Sequence, residues 1–239
     1  MRDQVIWINM GLKESAAMQV QNWMSPEVVT VDENTPIIKV IRALEENNVR
    51  HVPVMSQGRL VGMITDQDMK EAAPSKASAI KAEELYYLLS EMKAKDLMRP
   101  DPIAIRPDQT MEVAAVKMLE HKVTGMPVLT DKGELVGIIT QGDVFRVLIS
   151  ITGIYQGGVQ FAFNLEDRAG SIKEVADFIR EEEGQIVSIL STCDTADEGY
   201  RHVFIRIKKL PEARLQRLIK RLDKDFMILY MITDPLKDI

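Results

Sequence analysis

Residues 59–68 read RLVGMITDQD and residues 134–143 read ELVGIITQGD. Each stretch is an apolar run broken by one glycine, followed by Thr and then by Asp three residues on. The likeness extends outward from there. With a shift of 74, Met24, Pro26, Glu46, Val49, Pro53 and Val54 fall on Met98, Pro100, Glu120, Val123, Pro127 and Val128. One residue is inserted at a turn (SQG against TDKG). The shift is then 75, and Gly58, Leu60, Val61, Gly62, Ile64, Thr65 and Asp68 fall on Gly133, Leu135, Val136, Gly137, Ile139, Thr140 and Asp143. An internal repeat therefore organises the first two thirds of the chain, and such units stack because none buries its apolar faces alone.

Each copy reads as β-α-β-β-α. A short strand (VVTV or IAI) precedes a helix, where Thr35 is placed to cap and Pro36 suits the first helical position. Ile37, Val40, Ile41 and Leu44 recur at helical spacing, as do Met111, Ala114, Ala115 and Met118 in the second copy. Two apolar strands joined by a Gly-bearing turn predict a hairpin, and a last helix starts near Asp68 or Asp143. Between the copies, AAPSKASA reads as a loop and EELYYLLSEM as a helix with Leu85, Leu88, Leu89 and Met92 on one side.

The last third follows another pattern. VQFAFNL is a strand. SIKEVADFIREEE is a helix with Ile172, Val175, Ala176 and Ile179 inward, ended by Gly184 in a left-handed cap. QIVSILST and YRHVFIRIK are strands around DTADEG. Pro211 opens a helix striped by Leu215, Leu218, Ile219 and Leu222, and FMILYMIT closes as a strand. The order β-α-β-β-α-β is ferredoxin-like, and Gly157-Gly158 before it reads as a flexible joint.

Composition narrows the chemistry. The chain has 239 residues, 36 acidic against 30 basic, for a net charge of −6. That balance disfavours nucleic acid as a partner, since binding it requires neutralising phosphates. One cysteine (Cys193) builds no disulfide framework, and with three scattered histidines (His51, His121, His202) it makes no ordinary zinc site. No apolar run reaches the roughly 20 residues of a membrane helix, and no secretory signal opens the chain, so a cytoplasmic protein is expected. There is no GxSxG, P-loop, Rossmann glycine fingerprint or HExxH, and no constellation of nucleophile, base and acid. A non-enzymatic role with no cofactor follows. The basic run with Arg214, Arg217, Lys220 and Arg221 reads as the wet face of an amphipathic helix.

The repeated Thr-x-x-Asp is the best candidate site. Gly62 and Gly137 interrupt strands, where glycine often marks the close approach of another group. Thr65/Asp68 and Thr140/Asp143 then stand at strand-to-helix junctions, where a carboxylate can accept the hydroxyls of a ribose. Helix capping by the same residues is the competing explanation.

These residues resemble a known family. The paired repeats look like CBS domains, which in tandem form a Bateman module binding adenine nucleotides (AMP, ADP or ATP) or S-adenosylmethionine. The last third, with Asp167-Arg168-Ala169-Gly170-Ser171 between its first strand and helix, resembles an ACT domain, a regulatory unit that often takes amino acids at a dimer interface. The order CBS–CBS–ACT is similar to that of the acetoin-utilisation AcuB family. The implied fold class is α/β (α+β), with two β-α-β-β-α CBS repeats packed as one module plus a ferredoxin-like ACT domain. The implied boundaries are an N-terminal extension (1–17) outside the resemblance, repeat 1 (18–73), a linker helix (74–94), repeat 2 (95–152), a hinge (153–158) and the ACT domain (159–234).

The resemblance also implies site residues. Val29, Thr30 and Val31, or Ile103, Ala104 and Ile105, would read the adenine edge through their backbone. Val49, Arg50 and His51, or Val123, Thr124 and Gly125, would line the same clefts. Ribose and phosphate would fall to Thr65/Asp68 and Thr140/Asp143. Arg50-His51 can meet a phosphate and Thr124-Gly125 cannot, so the clefts are expected to differ. In the ACT part, Asp167, Gly170 and Ser171 would receive an amino-acid ligand. A homodimer is implied for both modules. The alternatives are a dimerising interaction scaffold without ligand and a subunit regulating an enzyme of acetoin or amino-acid metabolism.

Overall fold

A computed structural model of the chain describes residues 18–72 and 91–233. The extension (1–17), the expected linker helix around Leu85–Leu89, and residues 234–239 lie outside the described residues. The chain divides into two compact units, 1–145 and 146–239.

In the first unit, repeat 1 runs β1 (Val31–Asp32), α1 (Ile37–Glu46), β2 (His51–Ser56), β3 (Arg59–Thr65) and α2 (Asp66–Ala72). α3 (Ala94–Leu97) and β4 (Arg99–Pro100) follow, then α4 (Met111–His121), β5 (Gly125–Leu129), β6 (Leu135–Thr140) and α5 (Gln141–Thr152), within which the first unit ends at Phe145. The expected first strands are short: β1 keeps Val31, parallel to Val54 of β2, and Ile105 makes one parallel bridge to Val128. The hairpin turn of repeat 1 has Gln57 and Gly58 both at positive φ (49° and 76°), the pairing that matches strand twist. The helical stripes are buried as their spacing predicts, with Ile37, Val40 and Leu44 in repeat 1 and Met111, Ala114 and Met118 in repeat 2.

The repeats exchange their lead-in segments. Residues before repeat 1 pair with repeat 2: the Val20 N–H donates to Gln109 O (2.9 Å), and Ser25 and Ile138 exchange two backbone bonds (2.9 and 3.0 Å). Residues before the second repeat pair with the first: the Ala94 N–H donates to Thr35 O (2.8 Å), and β4 joins β3 at Gly62–Pro100 and Met63–Arg99. This overturns the expected cap at Thr35, whose side chain makes no capping bond, with Pro36 at the N-cap. The first N–H of α1 is taken by Met92 O (2.9 Å), and that of α4 by Met18 O (2.8 Å), 74 residues earlier in register. The strand glycines are explained by the same exchange. A Cβ at Gly137 would collide with the Met24 side chain, and one at Gly62 with that of Met98.

The second unit carries β7 (Val159–Glu166), α6 (Ser171–Glu181), β8 (Ile186–Thr192), β9 (Tyr200–Ile207), α7 (Glu212–Asp225) and β10 (Met227–Thr233). Its antiparallel sheet has the order β10-β7-β9-β8, as the ferredoxin-like reading requires. Phe161, Phe163, Val203 and Ile205 pack against Val175, Ile179, Leu218 and Leu222 of the helices. Arg217 and Arg221 pair with Glu182, tying the basic face of α7 to the end of α6. The left-handed residue ending α6 is Glu183 (φ 58°), not Gly184. The Gly184 N–H bonds Ile179 O (2.8 Å) and the Glu183 N–H bonds Arg180 O (2.9 Å), a Schellman motif. Gly184 is small because a Cβ would stand 2.7 Å from Ile179 Cγ2.

The Gly157-Gly158 pair has two distinct roles. A Cβ at Gly157 (φ 67°) would meet nothing within 4 Å, whereas one at Gly158 (φ 115°) would strike the Ile207 carbonyl. Gly157→Ala is therefore expected to cost about 1–3 kcal/mol from backbone strain alone, and Gly158→Ala, which adds a collision, about 3 kcal/mol or more, as read by urea unfolding of the full chain.

Candidate functional site

The Thr-x-x-Asp corners are built identically. In repeat 1, Asp68 Oδ2 accepts the Thr65 N–H (2.8 Å) and the Thr65 hydroxyl (2.6 Å). In repeat 2, Asp143 Oδ2 accepts the Thr140 N–H (2.7 Å) and hydroxyl (2.7 Å). Both carboxylates are 5% exposed. The capping geometry is present, and it holds each carboxylate at the end of its hairpin. A carboxylate has about four acceptor positions. Those of Asp68 receive two bonds from Thr65 and one, at Oδ1, from Arg99 Nε (2.7 Å). Capacity for one further donor, such as a ribose hydroxyl, remains. Arg99 escaped the sequence reading because it lies outside both copies of the motif. Its one signal is that it stands 74 residues after Ser25, on the lead-in that crosses to repeat 1.

His51 and Gly125, equivalent in the two repeats, meet each other. His51 Nε2 lies 2.8 Å from Thr124 Oγ1, and a Cβ at Gly125 would stand 2.8 Å from the His51 ring. The second copy has glycine because the first has imidazole. Burial is the main cause holding the His51 pKa below its ordinary value; Arg50 adds to this, and Asp66 and Asp68 oppose it. The ring is thus committed to the other repeat, and of the expected Arg50-His51 pair it is Arg50 that is exposed. Beside it, Asp66 bonds the Lys70 ammonium (3.0 Å), which keeps its carboxyl below the usual range.

The remaining predicted residues divide. Val29, Val31, Val49, Ile103, Ala104 and Val123 are half-buried, Thr30 and Thr124 are exposed, and Ile105 is buried. The Ala104 carbonyl receives the Lys117 ammonium (2.9 Å). In the second unit, Gly170 is left-handed (φ 92°) at the N-cap of α6, and the Ser171 hydroxyl donates to Arg168 O (3.1 Å). Asp167 pairs with Arg201 (3.0 Å), and Arg168 forks onto Glu174 (2.7 and 2.7 Å) while its Nε reaches Glu166 (2.9 Å). Cys193 is exposed, and no cluster of three metal-ligating side chains occurs among the described residues. No described helix is long and apolar enough to cross a membrane.

The CBS domain model matches residues 19–75 and again 94–150. A CBS domain-containing protein from Dictyostelium discoideum is 30% identical over 133 residues, covering 55% of this chain and 92% of the relative. The chain belongs to the CBS-domain family. The solved CBS-pair protein CBSX2 from Arabidopsis thaliana is similar to the CBS pair, with a TM-score of 0.50 and 27% identity, over 57% of this chain and 98% of that one. CBSX2 has also been solved in complex with AMP, a structure that is 30% identical, with a TM-score of 0.46 over 57% of this chain and 99% of that one.

A buried neutral His51 makes the CBS pair sensitive to acid. A folded pKa below the unfolded value of about 6.5 means that the unfolded chain binds the proton more readily. This group's contribution is complete above that value and is lost as the pH falls from there through the lower folded pKa. His51→Asn should therefore flatten the fall in melting temperature between about pH 7.5 and about pH 5.5 relative to wild type.

Proposed function

We propose that the CBS pair is a non-enzymatic sensor whose clefts bind an adenosyl ligand, an adenine nucleotide or S-adenosylmethionine, and that binding is passed to the C-terminal unit. The observation that carries this reading is the duplicated corner: Thr65/Asp68 and Thr140/Asp143 adopt the same geometry in both repeats. A cap alone requires no duplication of both residues, since many side chains serve at a helix start. Backbone around Val29, Thr30 and Val31, and around Ile103, Ala104 and Ile105, would frame the base. The similar protein CBSX2, solved with AMP, supports the ligand class.

The C-terminal unit is read as ACT-type on its β-α-β-β-α-β order and on Gly170 at the start of α6, with Asp167, Gly170 and Ser171 as its candidate amino-acid site. The Gly157-Gly158 joint and a homodimer are part of the same reading, as is the AcuB-like order of modules. A second reading, a scaffold with no ligand, is favoured by the near-complete burial of both carboxylates.

Thermal shift separates the two. A ligand at 100 times its dissociation constant stabilises a folded protein by about 2.7 kcal/mol. AMP, ADP, ATP or S-adenosylmethionine should raise the melting temperature, and Asp68→Asn and Asp143→Asn should each remove one component of that rise. No response to any of the four leaves the scaffold.

A further inference from the structure

The two corners share their Thr and Asp and differ at the positions around them. Repeat 1 presents Arg50, Asp66, Lys70 and Arg99 where repeat 2 presents Thr124, Gln141, Phe145 and Ser25. Glu71 and Arg146, the next equivalent pair, also differ in charge, so what sets the first corner apart is the cation brought to it by the crossing lead-in, Arg99 where the other lead-in has Ser25. The Arg99 Nε is anchored on Asp68 Oδ1 at 2.7 Å, while its side chain is 61% exposed. Among the described residues its two terminal nitrogens make no hydrogen bond that competes with a ligand. A guanidinium held by one nitrogen beside a ribose acceptor, with two donors turned to solvent, suits a phosphate oxygen. Its placement follows from the exchanged lead-ins: Arg99 pairs with Met63 and Ser25 with Ile138, in the same register. Lys117, where repeat 1 has Ala43, is held on the Ala104 carbonyl.

We propose that Arg99 determines charge selectivity in the CBS pair: it gives the repeat 1 corner a preference for a 5′-phosphorylated adenosyl ligand, a preference that Ser25 at the equivalent position does not give the other corner. This rests on the adenosyl reading of the clefts. It also moves the cause of their asymmetry from the expected Arg50-His51 pair, whose imidazole is spent on Thr124 and Gly125, to a residue donated by the other repeat.

The test is calorimetry on the full chain with AMP and with adenosine, which keeps base and ribose and lacks the phosphate. Arg99→Gln retains an N–H donor for Asp68 and removes the charge. It should weaken AMP by about tenfold or more, the size of one charge-assisted bond, and leave adenosine within about twofold. Arg99→Lys should keep part of the AMP preference, and Ser25→Arg should raise AMP affinity at the second corner. Equal loss of both ligands in Arg99→Gln, or no loss of AMP, overturns the proposal and leaves Arg99 a partner of Asp68. If wild type binds neither compound, the adenosyl reading fails first and this proposal with it.

Discussion

The exchange of backbone hydrogen bonds between the two repeats is the constraint on which the first unit depends. Neither repeat completes itself: the helix starts at Ile37 and Met111 would each leave an N–H without an acceptor, and Met92 O and Met18 O supply them. A buried, unpaired backbone donor costs a free energy comparable to a lost hydrogen bond, so each repeat needs the other's lead-in. The same crossing strands place Met98 over Gly62 and Met24 over Gly137, which makes glycine obligatory in the middle of an apolar strand. It also delivers Arg99 to Asp68. One topological feature thus accounts for the helix caps, the strand glycines and the charge of one corner.

The duplicated architecture permits an internal comparison. The two hairpins keep the same register, His51 opposite Thr65 and Gly125 opposite Thr140, so equivalent side chains can be compared directly. His51 opposite Gly125 is a steric pair: an imidazole fills the space that a second large residue would need. Arg50, Asp66, Lys70 and Arg99 opposite Thr124, Gln141, Phe145 and Ser25 form an electrostatic difference. The first fixes how the repeats meet. The second bears on what each can bind, because a guanidinium already anchored on Asp68 loses less freedom on meeting an anionic ligand than an unanchored one would.

Much of the fold was legible from periodicity. The stripes Ile37-Val40-Leu44 and Leu215-Leu218-Leu222 are buried where their spacing put them, and the ferredoxin-like order was readable from alternating strand and helix patterns. Local rules failed where partners were distant. Thr35 has the residue type of a cap and does not cap, because a carbonyl 57 residues ahead, that of Met92, reaches the helix first. Gly184 is a local exception: it has the residue type of a left-handed cap, yet Glu183 takes that conformation while Gly184 accommodates Ile179 of the helix it follows.

The sequence by itself determined that the chain repeats, that each repeat ends a hairpin in Thr-x-x-Asp, and that a different α+β module follows, since these rest on periods and spacings local to each segment. Only the tertiary structure decided which groups surround those motifs. It turned His51 away onto Thr124 and Gly125, and it brought Arg99 to Asp68 across 31 residues. Nothing in a local pattern specifies such pairings, because they follow from strands that cross between repeats, and contacts made by crossing chains depend on topology.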